Sequence, residues 1–384
     1  MNLEQLKFAS EASVYKAGEL AARLIRHERG TIFEYLADYV GPAVATSLPR
    51  EAGALQTTGG ALPAFFSGLL PEGRRLQAVR DAVKTSLDDE LSLLLAVGGD
   101  LVGDVQVMPV GTAATREVNA AGDLPKLEDV VFRDLYAQIL SPRSIDRTSL
   151  AGVQDKVSGG MISLPVQRRG GAWILKLNPP EHAHLVANEA FFLKAARASG
   201  LQVTDADVVH DRTGQQGLLV RRFDRDVIAE GSVPQVRALA QEDACQVLGR
   251  YPADKYRMST EQVIAGLSNC TGAPVVAART LLRQFAFAYL TCNGDAHAKN
   301  FSILHQGGEW RVSPAYDLPS TYPYGDDTMA LPLAGKSRED IGHQDFVVLG
   351  ESCGVPQKAT KRVLQELLTA MPAWFDRLDE LPFD

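Results

Sequence analysis

The sequence predicts an α+β fold in two lobes, with a small mixed subdomain ahead of them and a mainly helical C-terminal lobe. Three observations predict it. Short alternating apolar segments bounded by turn residues dominate the first part. From about residue 238 the period becomes helical. Between them, "GTAATREVNAAGDLP" is polar, rich in Gly and Ala, and closed by Pro, which places a boundary near residues 111–125. The expected division is residues 1–120 for the N-terminal subdomain, 121–235 for a β-rich lobe and 236–384 for the helical lobe. A β-rich piece followed by a helical one is expected to form a cleft.

Composition bounds the function. The chain has 384 residues, 45% hydrophobic and 22% charged, enough apolar mass for two or three ordinary globular cores. "MNLEQLKFASEAS" lacks the basic start and apolar run of a secretory signal, and no apolar stretch is long enough to span a bilayer, so a cytoplasmic protein without a membrane role is expected. Cys245, Cys270, Cys292 and Cys353 are scattered without a C-x-x-C pair, against a zinc ribbon, redox pair or disulfide scaffold. A net charge of −8 offers little to nucleic-acid phosphates and suits a basic protein partner.

In chain order, "ASVYKAGELAARLIRHERGTIFEYLADYV" reads as short strands around turns. "LLPEGRRLQAVRDAVKTSLDDELSLLLAVG" reads as two helices joined near Ser86, which is expected to cap the second. "DLVGDVQVMPV" alternates like a strand. "AWILKLNPP" is a strand ended by prolines, "LVANEAFFLKAARASG" a helix stopped by Gly200, and "LQVTDADVVHD" and "GLLVRRFDRD" are further strands. Helical patterns follow in "QEDACQVLG", "TEQVIAGLSNC", "APVVAARTLLRQFAFAYLTC" and "KATKRVLQELLTAMPAWFDRLDEL".

The chemistry concentrates after the longest of these helices. "CNGDAHAKNFSIL" presents Asp295, His297 and Asn300 within six positions. Asn-Gly alone is a turn signal, so context must decide. "FSIL", "HQGGEW" and "RVSPAYD" read as strand, Gly-Gly turn and strand, a hairpin that returns Asp317 to Asn300. Phosphoryl transfer needs this set: one carboxylate to orient an attacking hydroxyl and take its proton, and a carboxylate with an amide oxygen to hold Mg²⁺. Protein kinases use the same Asp-x-x-x-x-Asn spacing and a later metal-binding Asp. Upstream, Lys176 lies inside "WILKL", either as a solvated edge lysine or aimed at phosphates. Glu189 follows thirteen residues later, placed to pair with it. Gly152, Gly159 and Gly160 precede both, in a stretch whose N–H groups can cradle phosphates. The plain reading of "RRFDRD" is a solvated strand end; in a kinase it falls at the adenine hinge. His182 and His184 have no third ligand at zinc spacing and read as a surface loop.

Taken together, "SLAGVQDKVS", "ILKLN", "NEAFFLKAARASGL", "LVRRFDRD", "QEDACQVLG", "NGDAHAKNFSIL" and "PAYDLPST" resemble the HipA family of serine/threonine kinase toxins of bacterial toxin–antitoxin pairs. "VYKAGELAARL", "LLPEG" and "VGGDLVGDVQVMP" extend the resemblance to that family's N-terminal subdomain. It implies a two-lobe protein-kinase-like fold, ATP and Mg²⁺ as cofactors, autophosphorylation, and a helix-turn-helix antitoxin through which alone DNA is contacted. It also implies a protein substrate, for which an aminoacyl-tRNA synthetase is the family's example. By position, Asp295 resembles the catalytic base, Asn300 and Asp317 the metal ligands, and Lys176 the ATP-phosphate lysine paired with Glu189. Ala151, Gly152, Val153, Gln154, Asp155 and Lys156 resemble the phosphate loop. Arg221, Arg222 and Phe223 resemble the adenine hinge, His297 and Tyr316 join the nucleotide contacts, and Ser149 resembles a self-inactivating phosphorylated serine. Two other readings stand beside this one: a catalytically weak scaffold that binds a DNA-binding antitoxin, and a small-molecule or lipid kinase. The intact Lys176, Asp295, Asn300 and Asp317 weigh against the first. The lack of a polybasic run weighs against a membrane substrate.

Overall fold

Alternation and turn chemistry build the front of the chain. In the computed structural model, which describes residues 2–114, 129–139, 162–168, 171–179, 182–228, 235–338 and 340–383, the strands are β1 (Glu11–Lys16), β2 (Glu19–His27), β3 (Gly30–Tyr35) and β4 (Leu55–Gln56). A tight turn at Ala17-Gly18, both at positive φ, joins β1 to β2, as the right-handed strand twist requires. The helices α1 (Ala64–Ser67), α2 (Gly73–Val83) and α3 (Glu90–Val97) follow, then β5 (Val105–Pro109), which pairs with β1. The sheet order is β4-β3-β2-β1-β5. One apolar core unites the inward residues Val14, Leu24 and Phe33 with Phe66, Val79, Leu94 and Val107. Ser86 does not cap α3. Asp89 does, accepting from the Ser92 N–H at 3.4 Å and from the Thr85 hydroxyl at 2.6 Å. Asp89 is the residue immediately before the helix, and a cap must stand there to reach the first-turn N–H groups.

A second sheet, ordered β6-β7-β9-β8, is formed by β6 (Ile162–Arg168), β7 (Gly171–Leu177), β8 (Ala206–His210) and β9 (Gln216–Arg221). The helix α4 (Phe132–Ile139) sets Phe132 into a small core with Leu175, Leu177 and Leu219. Asp211 ties that helix to the sheet, accepting the Phe132 N–H at 2.7 Å. The hairpin β10 (Arg225–Ile228) with β11 (Gln235–Ala238) follows. Between β7 and β8 runs α5 (Leu185–Ala198), ended by Ser199 and by Gly200 at φ 81, the left-handed stop expected of Gly200.

The rest is mainly helical: α6 (Ala244–Val247), α7 (Thr260–Asn269), α8 (Pro274–Leu290), α9 (His343–Ser352), α10 (Gln357–Ala370) and α11 (Pro372–Phe375). A small sheet orders β12 (Gln241–Asp243), β13 (Ser302–Gln306) and β14 (Glu309–Val312) as β12-β13-β14. Contacts divide the chain into two compact units, residues 1–177 with 209–241, and residues 178–208 with 242–384. The helix α5 therefore groups with the second unit rather than within a contiguous 121–235 segment. Among the described residues no helix is long and apolar enough to cross a membrane.

Candidate active site

The site residues of the second unit are delivered by a helix end, a short loop and a hairpin. Seventeen residues long, α8 buries Leu281, Leu282, Phe285 and Phe287. It stops when Cys292 turns left-handed at φ 49 and the Asn293 N–H reaches back to the Ala288 carbonyl at 2.9 Å. Gly294 then passes where no side chain fits, since a Cβ would stand 2.2 Å from Asp326 Oδ2. So Asn293-Gly294 is a helix exit with a close approach, not a hairpin turn. Asp295 follows with its backbone held on three sides: its N–H donates to Asn293 Oδ1 at 3.1 Å, and its carbonyl accepts from the His297 N–H at 2.7 Å and from Asn300 Nδ2 at 2.8 Å.

The predicted hairpin forms. Ile303 faces Val312 and Gln306 faces Glu309, around Gly307 and Gly308 at φ 64 and 87. The Ser313 N–H closes onto the Ser302 carbonyl at 2.9 Å, so the chain returns to its start. Tyr316 Oη then donates to the Lys299 carbonyl at 2.8 Å and lies 2.5 Å from the Ser302 hydroxyl. Burial pushes its phenol well above the usual tyrosine range, against the bond to Ser302. It stays protonated and acts as a strut across the hairpin mouth. Next to it, Asp317 is held left-handed at φ 54, a conformation that costs a non-glycine residue roughly 1–2 kcal/mol and that Asp tolerates better than most. Asn293 Nδ2 donates to the Asp317 carbonyl at 3.3 Å. One pocket is lined by Asn293, Ala296, Asn300, Ala315, Tyr316 and Asp317. The sequence argument that Asp317 returns to Asn300 therefore has its geometry. Ala288, Phe301 and Leu318 line the pocket too, and Asn300 and Asp317 are the residues on it whose hard oxygens would hold Mg²⁺.

His297 is buried, with Nε2 3.9 Å from Asp295 Oδ1, rather than on an open loop. Glu189, on α5, is also buried in this unit. Its neighbour Asn188 makes paired bonds to Ser320, Nδ2 to the carbonyl at 2.9 Å and Oδ1 from the N–H at 2.8 Å. This pins α5 to the segment just after Asp317, a link the sequence did not signal. His182 and His184 each sit edge-on to an aromatic ring, Tyr324 and Phe383 respectively. Among the described residues no group of three His, Cys, Asp or Glu is placed to hold a metal.

Lys176, Arg221, Arg222 and Phe223 belong to the first unit. Lys176 is paired on both sides, opposite Ser163 of β6 and Leu218 of β9, and is only 7% exposed. It is thus no solvated edge lysine. "RRFDRD" is no solvated strand end either. Arg222 forks onto both oxygens of Asp100 at 3.1 and 3.0 Å and onto Asp224 at 3.0 and 2.8 Å. Arg225 meets Asp100 and Asp224 at 2.7 Å each. Leu101 and Gly103 carbonyls accept further bonds from the two guanidinium groups. The Arg222 N–H donates to the Ala172 carbonyl at 2.9 Å, so side chain and amide alike hold the fold. Burial alone would raise the Asp224 carboxyl, but Arg222 and Arg225 hold it down to about 2. Ala151, Gly152, Val153, Gln154, Asp155, Lys156 and Ser149 lie outside the described residues.

The fold is that of a two-lobe α+β protein of the kinase-like class. Residues 12–108 match the HipA N-terminal domain and residues 148–375 the HipA-like C-terminal domain. The putative kinase Y4dM of Sinorhizobium fredii is 33% identical over 364 residues, spanning 85% of this chain and 83% of that protein. The serine/threonine-protein kinase toxin HipA of Shewanella oneidensis is 28% identical over 295 residues, 70% of this chain and 65% of that one. The solved structure of HipA from Shewanella oneidensis MR-1 with HipB and operator DNA shares the fold at a TM-score of 0.76 and 21% identity, covering 97% of this chain and 92% of that chain. The chain belongs to the HipA family.

Proposed function

We propose that the chain is an ATP- and Mg²⁺-dependent serine/threonine protein kinase acting as a toxin of a toxin–antitoxin pair. The observation that carries this is the delivery of Asp295, Asn300 and Asp317 by one loop and one hairpin, with Asn300 and Asp317 lining a single pocket. In this reading Asp295 orients the acceptor hydroxyl and takes its proton as the oxygen bonds to the γ-phosphorus; the bond to the bridging oxygen breaks and ADP leaves. Mg²⁺, when bound at Asn300 and Asp317, neutralises phosphate charge. Lys176 binds the ATP phosphates, and Ala151 to Lys156 cradle them. The stretch Arg221 to Phe223 forms the adenine hinge, with His297 and Tyr316 completing the nucleotide site. The side chain and N–H of Arg222 are already engaged within the first unit, so its part there is to fix the backbone.

Support for the acceptor class comes from the Shewanella oneidensis relative, which is named a serine/threonine-protein kinase toxin. Support for an antitoxin comes from the solved HipA–HipB–operator complex and from the net charge of −8, which leaves DNA phosphates to a basic partner. Phosphate on Ser149 would place about −1.5 to −2 charges beside the phosphate loop and switch ATP binding off. The substrate is a protein of translation, with an aminoacyl-tRNA synthetase the first to try.

The test is incubation of purified chain with [γ-³²P]ATP and a cell lysate, followed by identification of labelled proteins. Asp295→Gln is expected to lose about 10²–10⁴-fold in transfer while melting like wild type. Wild-type labelling by Asp295→Gln would remove the assignment. Label in small molecules alone would turn the reading to a metabolite kinase.

A further inference from the structure

Asp295 has a neighbour that sequence reasoning passed over. Tyr256 Oη donates to Asp295 Oδ1 at 2.6 Å. That distance lies in the short, charge-assisted range for O–H···O⁻. His297 Nε2 stands 3.9 Å from the same oxygen, too far for a hydrogen bond. We propose that Tyr256 is a positioning residue for phosphoryl transfer: its hydroxyl fixes Asp295 Oδ1, so that the acceptor hydroxyl is taken by Oδ2. The proposal rests on the kinase reading of Asp295 given above.

The physical need is plain. The χ2 torsion of an aspartate is broad and roughly two-fold, so backbone bonds alone do not set the plane of the carboxylate. The Asp295 backbone is already held by Asn293, His297 and Asn300. A strong bond to one carboxylate oxygen opposes rotation of the carboxylate about its own bond. A carboxylate offers about four lone-pair sites, so fixing one oxygen leaves the other able to accept from an acceptor hydroxyl. A base must stand within about 2.6–3.2 Å of the proton-bearing atom, and the tyrosine supplies that precision.

Tyr256 is itself held in place. Its ring stands edge-on to the buried His297 imidazole, with centroids 5.1 Å apart at 82°. The Lys255 ammonium lies 5.4 Å from the ring centroid. Along the main chain, the Lys255 carbonyl accepts the Ala298 N–H at 3.1 Å, stitching this segment to the catalytic loop. The turn Pro252–Asp254 closes the other side, with the Lys255 N–H on the Pro252 carbonyl at 3.2 Å and the Arg257 N–H on the Asp254 carbonyl at 2.8 Å. Tyr256 is 37% exposed, so its ring reaches the surface while its hydroxyl turns inward. One other role deserves contrast: the hydroxyl as an occupant of the acceptor's place, displaced when substrate binds. Displacement would swing the ring off His297, which the stitched main chain opposes.

Tyr256→Phe separates the two roles, because it keeps the ring on His297 and removes only the hydroxyl. Initial rates of ³²P transfer from [γ-³²P]ATP are measured in the full chain, with myelin basic protein as acceptor. The proposal predicts that kcat falls about 10-fold, a part of the roughly 10²–10⁴-fold that a positioned base supplies. KM for ATP and for the acceptor stays within about twofold, and melting is unchanged. Tyr256→Ala falls further, through loss of the ring. An unchanged kcat in Tyr256→Phe overturns the proposal. So does a lower KM for the acceptor with kcat held or raised, which would make the hydroxyl an occupant. If wild type transfers nothing to this acceptor, to lysate proteins or to water, the kinase reading falls and this proposal with it. Wild-type transfer with an unaffected Tyr256→Phe removes only the role of the tyrosine.

Discussion

Two regions of this chain gather buried or near-buried charge, and they do it in opposite ways. In the first unit, Asp100, Arg222, Asp224 and Arg225 balance two carboxylates with two guanidiniums. Bidentate forks and the carbonyls of Leu101 and Gly103 fill most of the remaining hydrogen-bonding capacity. Such a cluster is complete in itself, and no pocket is needed to explain it. In the second unit, Asn300 and Asp317 line one pocket, on a backbone that is left-handed at Cys292 and Asp317. The first arrangement is a clamp and the second a candidate site. Charge buried and paired within the chain stabilises geometry. Oxygen donors brought to one pocket at the cost of backbone strain point to a ligand supplied from outside.

The largest expected effect lies at the clamp. Asp224→Ala leaves Arg222 and Arg225 sharing Asp100 alone, and removing one partner of a buried charge set costs about 3–5 kcal/mol. Urea unfolding should show that loss, with the midpoint of the transition shifted accordingly. A variant within about 1 kcal/mol of wild type would show that the cluster is ornament.

A smaller effect comes from acid. The Asp224 carboxyl is held down to about 2 in the folded chain, against about 3.9 when unfolded. A carboxyl depressed on folding stabilises above its unfolded value and gives that up as pH falls through its folded value. The contribution is therefore whole near neutrality, about 2–3 kcal/mol by linkage, and is lost mostly between about pH 4 and pH 2. Stability followed across that window in wild type and in Asp224→Asn should separate them near pH 6 and bring them together at pH 2. Parallel curves would contradict the clamp.

Where the sequence was legible, the signal was local. The strands and turns of the front, the Gly200 stop and the Gly307-Gly308 hairpin each follow from neighbours a few residues apart. The hairpin also made the return of Asp317 to Asn300 legible, which is most of the candidate site. Lys176 was ambiguous because an edge lysine and a central one look alike in "WILKL"; only pairing on both sides decides. What was missed depends on distance along the chain. Arg222 finds Asp100 122 residues away, so "RRFDRD" carried no sign of burial. Tyr256 finds Asp295 39 residues away, and nothing in "ADKYRMST" announces it. Asn188 and Ser320, 132 apart, are the same case. The cap of α3 was missed for a different reason. Several polar residues in "TSLDDE" compete, and Asp89 wins because it stands next to the first turn.

On the proposed reading, the pocket of Asn300 and Asp317 holds the metal of a phosphoryl-transfer site. Its most direct test is ³²P transfer from [γ-³²P]ATP by wild type and by Asp317→Asn, with Mg²⁺ and with EDTA. Asn keeps the tolerance for a left-handed backbone at this position and removes the charge. Wild type is expected to transfer with Mg²⁺, and both Asp317→Asn and wild type in EDTA to transfer at least about 10²-fold less, with melting curves unchanged. Transfer by Asp317→Asn at the wild-type rate, or wild-type transfer untouched by EDTA, would contradict it.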